Sequence, residues 1–395
     1  MQDFEYDPYS YEIDEDPYPL YHRMREEAPA YYNERLDFYA LTRFDDCLGA
    51  FMDWKTYSSA HGTVLEMMGE NRITGPLIIF MDPPRQTRVR NLVSRAFTPR
   101  RIAALEPQIR RIAIGHLEKL PERGSCDIVR DFTGKLPMDV ISTLLGIPVE
   151  DRDQVREWSN GILHRDPGNP LPPPRVIECM NHLIEYFHGA LAERRKQPKD
   201  DIMSLLIQAE VQEEDGSLHQ LSDEELTGFF NLLATAGNET VTKLLATGFY
   251  WLAHYPDERQ RLLDDPSLIP SAVDEILRFD PPSQYQGRTL MRDITLHGEV
   301  IPKDARVMIV NAAGTRDARR YPNPDVFDVG REIETHLSFG WGQHICVGKN
   351  LALMESRIAL TEFLQRIPDY GVPEDGVERM HSSNVRGFSG LTLEY

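Results

Sequence analysis

The spacing of apolar residues predicts a mainly helical chain. Helical periodicity runs from Ile102 to about Leu163, returns from Arg175 to Gln197, and continues without a proline from about Asp223 to Tyr255. The connection between the first two stretches holds prolines at positions 167, 170, 172, 173 and 174. Because proline fixes its backbone and cannot donate a hydrogen bond, we expect this connection to be stiff and non-helical.

Short apolar runs predict a minor β region. A hairpin is expected from residues 30–32 and 38–41, which flank a polar turn. Further short strands are expected between residues 295 and 310. The stretch from Ser58 to Phe80 has no regular pattern and contains several glycines, so it is predicted to be a long loop. Long ordered loops are usually functional.

The longest predicted helix carries a second pattern in its middle. Ser222 and Glu225 have the spacing of a capping box at its start. The middle of the helix reads Ala236-Gly237-Asn238-Glu239-Thr240. A mid-helix Thr usually bonds the carbonyl four residues earlier, and a lone Glu is usually a surface charge. This segment therefore does not indicate a site by itself.

Composition describes an ordinary globular protein. Of its 395 residues, 41% are hydrophobic and 27% charged, which is enough to bury a large core. No apolar run approaches the length of a membrane span, and the acidic N-terminus lacks a signal-peptide pattern. Four cysteines in this context predict free thiols in a reducing cytoplasm. No linker or repeat divides the chain, so we expect a single domain over residues 1–395 and a cytoplasmic monomer.

Charge is unevenly distributed along the chain. The net charge of −20 argues against general affinity for nucleic acid or an anionic membrane. Between positions 82 and 101, however, a single acid, Asp82, accompanies six arginines: Arg85, Arg88, Arg90, Arg95, Arg100 and Arg101. This basic segment is either a docking surface for an acidic partner or a solvated helix face, and charge alone does not decide between them.

A single cysteine occupies the most distinctive stretch. Residues 338–350 read Ser-Phe-Gly-Trp-Gly-Gln-His-Ile-Cys-Val-Gly-Lys-Asn, with Cys346 just before an apolar helical run. Glycines 340, 342 and 348 are expected to take positive φ and to let the backbone approach a bulky group. A Cys just ahead of a helix lies where free backbone N–H groups favour negative charge. Such a thiolate is typical of a sulfur ligand to haem iron.

Two alternatives compete with a haem ligand at this Cys. Free cysteines are usually small buried hydrophobic residues. A zinc site with His344 is a weaker alternative, because the other cysteines lack the paired spacing of a structural zinc site.

The pattern Phe-Gly-x-Gly-x-His-x-Cys-x-Gly resembles the haem-binding signature of the cytochrome P-450 superfamily, and the segment from Phe339 to Gly348 fills all of its fixed positions. The resemblance extends over nearly the whole chain. It implies a mainly α, single-domain triangular prism with a minor β-sheet region. It also implies haem b as cofactor, with Cys346 as the axial ligand to iron.

The resemblance also assigns roles to cofactor-binding residues. In the loop these are Phe339 and Gly340, and on the long helix they are Ala236 and Gly237, where the missing Cβ would let a flat macrocycle approach. The haem propionates are implied to meet three basic residues, namely Arg90, Arg288 and His344. The family has a His four residues before the first of these, and this chain has Gln86 there. A neutral amide still donates a hydrogen bond, so we expect a weaker contact.

The remaining roles concern protons, support and substrate. Thr240 and Glu239 are implied to manage the protons that dioxygen activation consumes. Glu275, Arg278 and Arg331 are implied to form a buried ionic network with a structural role. Candidate wall residues of the substrate pocket are Ile79, Phe80, Leu233, Gln284, Tyr285 and Phe388. Their composition predicts a mostly apolar substrate with one or two polar groups.

The implied reaction is monooxygenation of a small apolar molecule, with dioxygen as co-substrate. We find no Gly-x-Gly-x-x-Gly fingerprint, so the electrons are expected from a separate ferredoxin and an NAD(P)H-dependent ferredoxin reductase. The basic segment would be the docking surface of that ferredoxin. Two rivals stay open: a peroxide-driven haem-thiolate peroxygenase, and a non-catalytic haem or lipid binding protein.

Overall fold

A long helix, Asp223–His254, forms the centre of the fold. We analysed a computed structural model that describes residues 4–69, 76–166, 169, 171–212, 216–382 and 384–395. The helix starts at the predicted capping box, in which the Ser222 side chain accepts from the Glu225 backbone and the Glu225 side chain accepts from the Ser222 backbone. Apolar side chains cover it on several sides, including Leu226, Phe230, Leu245 and Phe249. A helix covered so completely must lie inside the protein.

The helices match the predicted periodic stretches closely. They are α1 Tyr11–Glu15, α2 Tyr18–Glu27, α3 Phe44–Met52, α4 Arg85–Ala96, α5 Pro99–Leu117, α6 Leu136–Leu145, α7 Arg152–Leu163, α8 Pro174–Lys196, α9 Ile202–Ile207, α10 Asp223–His254, α11 Pro256–Asp264, α12 Ile269–Phe279, α13 Asn311–Gly314 and α14 Lys349–Arg366. Residues 129–133 form a π-helical turn before α6. The predicted proline connection lies between α7 and α8, and its Pro167 and Pro170 lie outside the described residues.

Short strands form the minor β region, as predicted. They are β1 Ala30–Asn33, β2 Phe38–Leu41, β3 Tyr57–Ser58, β4 Ser125–Asp127, β5 Glu210–Gln212, β6 Leu218–Gln220, β7 Gln286–Leu290, β8 Ile294–Leu296, β9 Glu299–Ile301, β10 Arg306–Ile309, β11 Val377–Met380 and β12 Gly387–Glu394. The largest sheet has the order β1-β2-β10-β7-β3, in which only the β2–β10 pair is parallel. A second sheet has the order β11-β12-β4.

Two packing features position the centre of the molecule. Helices α6, α7, α8, α12 and α14 and strand β12 all pack against α10. The main core is built largely from these helices, and smaller clusters lie on the two faces of the five-stranded sheet. Within the described ranges, no helix is both long and apolar enough to cross a membrane.

Candidate active site

A largely apolar cavity lies between α10 and the loop that precedes α14. Its apolar wall comes from α10, α4 and the segment just before α4: Ile78, Ile79, Val93, Phe97, Phe229, Leu232, Leu233, Val241 and Leu244. The structure brings most of the predicted site residues to this one cavity: Ile79, Gln86, Arg90, Leu233, Ala236, Gly237, Thr240, Arg288, Phe339, Gly340, His344 and Cys346.

Cys346 presents its sulfur to the cavity. The sulfur is open to the cavity space, while the surrounding chain encloses it from the outside. The Cys346 backbone N–H donates to the Phe339 carbonyl at 2.9 Å, which closes the loop. Burial raises the pKa of the Cys346 thiol, opposed by the Gly348 N–H, the Arg90 charge and the Lys349 N–H. These opposing groups would all stabilise a thiolate once a metal ion removes the proton.

The glycines of this loop differ in what they do. Gly340 and Gly342 have φ of 65° and 66°, as predicted. A Cβ on Gly342 would lie 2.6 Å from the Phe51 carbonyl oxygen, so this turn also needs a residue without a side chain. The prediction is wrong for Gly348, whose φ is −84° because it is the N-cap of α14 rather than a turn residue.

Three basic side chains converge on the cavity. Arg90 and Arg288 form no ion pair within the described residues, and the His344 Nε2 is buried without a hydrogen-bond partner there. Burial lowers the pKa of Arg288 to about 10. Burial, with the charges of Arg288 and Arg90, lowers the pKa of His344 to about 3. Glu355 is the acidic residue in the cavity wall, and burial raises the pKa of its carboxyl.

Gln86 has a different local contact from the predicted one. Its side chain is 1% exposed and its Nε2 donates to the Gln343 carbonyl at 2.7 Å. The amide therefore ties α4 to the Cys346 loop. The Nε2 group has a second N–H that could still donate, so the weaker propionate contact stays a prediction.

The middle of α10 borders the cavity through one face, with residues three and four positions apart: Leu233, Ala236, Gly237, Thr240, Val241 and Leu244. The Thr240 hydroxyl donates to the Ala236 carbonyl at 2.8 Å, which is the usual bond of a mid-helix Thr. Its oxygen can still accept a hydrogen bond from the cavity side. A Cβ on Gly237 would meet Ile141 of α6 at an ordinary 3.5 Å, and Gly237 lines the cavity, so its role beside a flat macrocycle stays a prediction.

Glu239 lies on another side of α10 and does not line this cavity. It lines a second, polar cavity, whose walls include Tyr11, Arg156, His164 and His381. Its Oε2 pairs with Lys243 Nζ at 3.1 Å, and both side chains are at least 95% buried. Lys243 also donates to the Phe388 carbonyl at 2.9 Å. Residues 239 and 240 point to different sides because neighbours on a helix are 100° apart.

The Glu275, Arg278 and Arg331 side chains come together as expected. Arg278 donates from Nε and Nη2 to the two oxygens of Glu275, at 2.6 and 2.8 Å, with both side chains fully buried. Arg331 Nε approaches Glu275 Oε1 at 3.3 Å. Ser338, in the Cys346 loop, donates from its hydroxyl to the carbonyl of Leu277 on α12 at 2.6 Å. The network thus supports the start of the Cys346 loop.

Four residues predicted at the pocket wall lie elsewhere. Phe80 is buried outside the cavity wall, and Tyr285 is fully buried, with its hydroxyl accepting from the Leu65 N–H. The Gln284 side chain accepts from the Tyr21 hydroxyl and donates to the Pro281 carbonyl. Phe388 packs on Tyr250. Arg288 lines the cavity, so alternation along β7 turns residues 285 and 287 away.

The cavity has polar wall residues that sequence reasoning missed. Gln286, Asn311 and Thr63 line it near the start of β7, next to Ser283, whose turn the family resemblance had already placed at the border of the substrate. Strand alternation from Arg288 to Gln286 was the available signal for one of them. Asn311 had no such signal, because it belongs to α13 and is distant in sequence.

These residues fit a haem with a thiolate ligand. A cysteine sulfur faces an apolar cavity, and backbone N–H groups lie beside it. Two arginines that form no ion pair within the described residues, and a histidine Nε2 without a hydrogen-bond partner there, suit two propionates. Arg90, Arg288 and His344 would hold the propionates, and Cys346 would bind the iron. When bound, such a haem supplies the dioxygen chemistry, while the chain provides the ligand, orientation and dryness.

Comparisons with known proteins identify the class. The family model described as "Cytochrome P450" matches residues 174–368. The chain is 43% identical to "Putative cytochrome P450 123" of Mycobacterium tuberculosis (strain ATCC 25618 / H37Rv) over 98% of this chain and 96% of that protein. It is 37% identical to "Vitamin D(3) 25-hydroxylase" of Pseudonocardia autotrophica, over 96% and 94% of the two chains.

Solved structures agree with the sequence comparisons. The crystal structure of CYP109E1 from Bacillus megaterium in complex with testosterone superposes with a TM-score of 0.88 at 31% identity, covering 97% of this chain and 98% of that one. Fold and site together define a haem-thiolate monooxygenase. The chain belongs to the cytochrome P450 family, with haem as its cofactor and a cysteine thiolate as axial ligand.

Proposed function

We propose that this monooxygenase hydroxylates or epoxidises a small, mostly apolar molecule that carries one or two polar groups. The observation that supports this is the composition of the cavity. Its wall beside α10 is aliphatic and aromatic, and its polar groups away from the basic residues are neutral. An apolar chamber with a few oriented polar groups is typical of sites for small, weakly polar ligands.

Two relatives suggest the first probes. One is named as a vitamin D(3) hydroxylase, and another has been solved with testosterone. Both ligands are large apolar ring systems with oxygen substituents. We expect such a molecule to displace cavity water and shift the haem Soret band, and we expect linear fatty acids to shift it less. A screen in which only charged or strongly polar molecules bind would overturn this proposal.

Residue roles follow from the geometry. We assign Cys346 as the iron ligand, Arg90, Arg288 and His344 as the propionate contacts, and Thr240 as a hydrogen-bond partner at the reaction site. Glu239 faces the second cavity, so its role is to take protons from that side of α10 and pass them toward Thr240. Thr240→Ala and Glu239→Gln should each lower the product formed per NADH, and the rate of product formation should fall by about 100-fold, the lower end of the usual contribution of proton-transfer groups. Thr240→Ser is the matched control and should keep most of the coupling.

We infer that electrons arrive from a separate ferredoxin and its NAD(P)H-dependent reductase, in the cytoplasm. The basic segment supports this only in part. Arg90 turns into the cavity and Arg85 pairs with Glu225 at 2.6 Å. Arg95, Arg100 and Arg101 are exposed. Replacing these three and Arg88 by Gln should slow reduction by an acidic ferredoxin and flatten its salt dependence. Arg123, exposed on another segment, is the control position.

Peroxide-driven turnover is the rival activity. Product formation with hydrogen peroxide that exceeds formation with ferredoxin, reductase and NADH would favour a peroxygenase. We expect the opposite ranking, because Thr240 and Glu239 provide the proton-handling groups that dioxygen reduction needs. If Thr240→Ala leaves both the peroxide-driven and the ferredoxin-driven reactions unchanged, Thr240 does not have the assigned role.

A further inference from the structure

One corner of the cavity is polar, and we call it the polar corner: Thr63, Ser283, Gln286 and Asn311. It is built around the start of β7. The Gly287 N–H donates to the Thr63 carbonyl at 2.7 Å, and Asn311 Nδ2 donates to the Ser283 carbonyl at 2.7 Å. Residues from three separate segments are thus tied together before any ligand arrives. A polar group held in this way loses little freedom on binding.

The orientation of the Gln286 side chain is fixed by its own contact. Its Nε2 donates to the Ser283 hydroxyl oxygen at 2.9 Å. With the amide nitrogen at Ser283, Oε1 is the acceptor end that remains. Within the described part of the chain, Oε1 receives no hydrogen bond. The side chain is half-buried and lines the cavity, so this acceptor is available to a ligand.

The same contact determines what Ser283 can do. Its hydroxyl oxygen already accepts from Gln286, so the hydroxyl proton remains for donation. Its backbone cannot shift easily. Ser283 bridges to Val385, and the flanking Gln284 N–H donates to the Asn384 carbonyl at 2.9 Å. Ser283 and Gln286 therefore present one donor and one acceptor side by side.

Asn311 Oδ1 is buried without a hydrogen-bond partner among the described residues, whereas several other polar groups of the cavity already make one hydrogen bond within the protein. Thr240 donates to Ala236, Gln86 donates to Gln343, and Arg288 donates to the Gly287 carbonyl at 2.6 Å. The basic groups that remain are those that fit the propionates. No charged side chain belongs to the polar corner, so it offers nothing that would compensate the desolvation of a carboxylate or an ammonium group.

We propose that Ser283 and Gln286 together determine substrate specificity by binding a neutral hydroxyl group of the substrate, at a point away from the carbon that is oxidised. The substrate hydroxyl accepts from the Ser283 hydroxyl and donates to Gln286 Oε1. A ketone at the same position satisfies Ser283 alone, and a hydrocarbon satisfies neither. This inference rests on the proposed function and specifies its substrate class.

The expected order of affinity, with the hydroxyl compound above the ketone and the ketone above the hydrocarbon, has a physical basis. A site built to hydrogen-bond a hydroxyl rejects the analogue that lacks it, because buried polar groups of the site are then left unpaired. A neutral hydrogen bond contributes about 0.5–1.5 kcal/mol, which corresponds to roughly 2- to 10-fold in affinity. The hydroxyl compound should therefore bind about 10-fold more tightly than the ketone, and the ketone about 5-fold more tightly than the deoxy compound.

The test measures binding to the haem-loaded protein by Soret titration, with matched steroids that differ only in one substituent: 17-hydroxyl, 17-ketone and 17-deoxy. Ser283→Ala should remove the difference between the ketone and the deoxy compound. Gln286→Leu should remove the difference between the hydroxyl compound and the ketone. Ser283→Thr keeps the hydroxyl and should restore the ketone preference.

Several outcomes would overturn the inference. Equal affinities of the three steroids for the unaltered protein would do so, as would equal losses for all three in Gln286→Leu. The ferrous–carbonyl spectrum shows whether a variant has lost its haem. If Gln286→Leu loses haem, Gln286→Asn serves as the second variant, which should weaken binding of the hydroxyl compound while the protein keeps its haem. If the three steroids bind with the expected order of affinities but none is oxidised, the proposed substrate class is wrong while the hydroxyl-binding site stands. The two failures are therefore distinguishable.

Discussion

Two buried ion pairs use the same chemistry in different surroundings: a lower pair, in the helix that supports the Cys346 loop, and an upper pair, between Glu66 and Arg165. The lower pair, Glu275–Arg278, joins residues of one helix, and Arg278 also donates to the carbonyls of Thr315 and Pro324. The upper pair joins two loops: Arg165, just after α7, donates from Nε and Nη2 to Glu66 Oε1 at 3.0 and 2.9 Å.

The surroundings of the two pairs differ. Around the lower pair, α12 and α14 are regular and packed on α10. Around the upper pair, Glu66 lies in the loop before α4, and Arg165 begins the connection to α8. Its carbonyl accepts from the Tyr11 hydroxyl, and the Tyr11 ring stacks on His381 at 3.5 Å. We infer that the lower pair is permanent, whereas the upper pair can break when a ligand enters.

The largest expected effect is on the lower pair. Glu275→Gln leaves Arg278 buried without its counter-charge, which should cost about 3–5 kcal/mol of unfolding free energy. We also expect loss of haem, because α12 supports the Cys346 loop through Ser338. Urea unfolding, with the haem absorbance followed in parallel, measures both. A cost below about 1 kcal/mol would show that the pair is not a framework element.

The second largest effect is expected from acid, which should lower the unfolding free energy through Asp280 at the end of α12. Burial alone would raise the pKa of Asp280, but Arg386, Arg379, Tyr18 and Arg316 reverse this and leave it below its usual value. Its stabilisation is therefore complete above the unfolded-state pKa near 3.9 and is lost as pH falls through the lower folded-state pKa. Asp280→Asn should remove up to about 1.4 kcal/mol per pH unit of that acid dependence. Identical slopes for variant and parent protein would contradict it.

The upper pair should affect rates more than stability. In Glu66→Gln the loop can open locally, so the unfolding free energy should fall by only about 1 kcal/mol. Ligand association and dissociation should each become about 5- to 10-fold faster, since the buried pair no longer opposes opening. Stopped-flow ligand binding measures the rates, and hydrogen exchange of residues 59–69 should increase. Unchanged rates would mean that this pair does not control entry.

The smallest effect is expected from an exposed pair that controls for charge alone. Glu334 and Arg320 lie 3.0 Å apart, with 86% and 38% of their side chains exposed. Glu334→Gln should change the unfolding free energy by less than about 0.5 kcal/mol and leave the ligand rates unchanged. A larger effect would show that the loss of one charge, rather than the burial of the pair, explains the stability changes expected for Glu275→Gln and Glu66→Gln.

The sequence by itself determined the features that depend on neighbouring residues. The capping box at Ser222, the hairpin of β1 and β2, and the positive φ at Gly340 and Gly342 all follow from local backbone requirements. The Cys346 loop was identifiable because several rare residue types occur at fixed spacing. The other cofactor contacts were predicted through the family resemblance of this loop, and most of them line one cavity.

Tertiary structure alone decided which way side chains face and what they contact. Glu239 is turned from the cavity to Lys243, Gln86 donates to the Cys346 loop, and Asn311 joins a wall built by distant residues. Each outcome depends on the rotation of a helix or the phase of a strand relative to its neighbours. That relation is set by the packing of whole surfaces, which no local pattern of residues records.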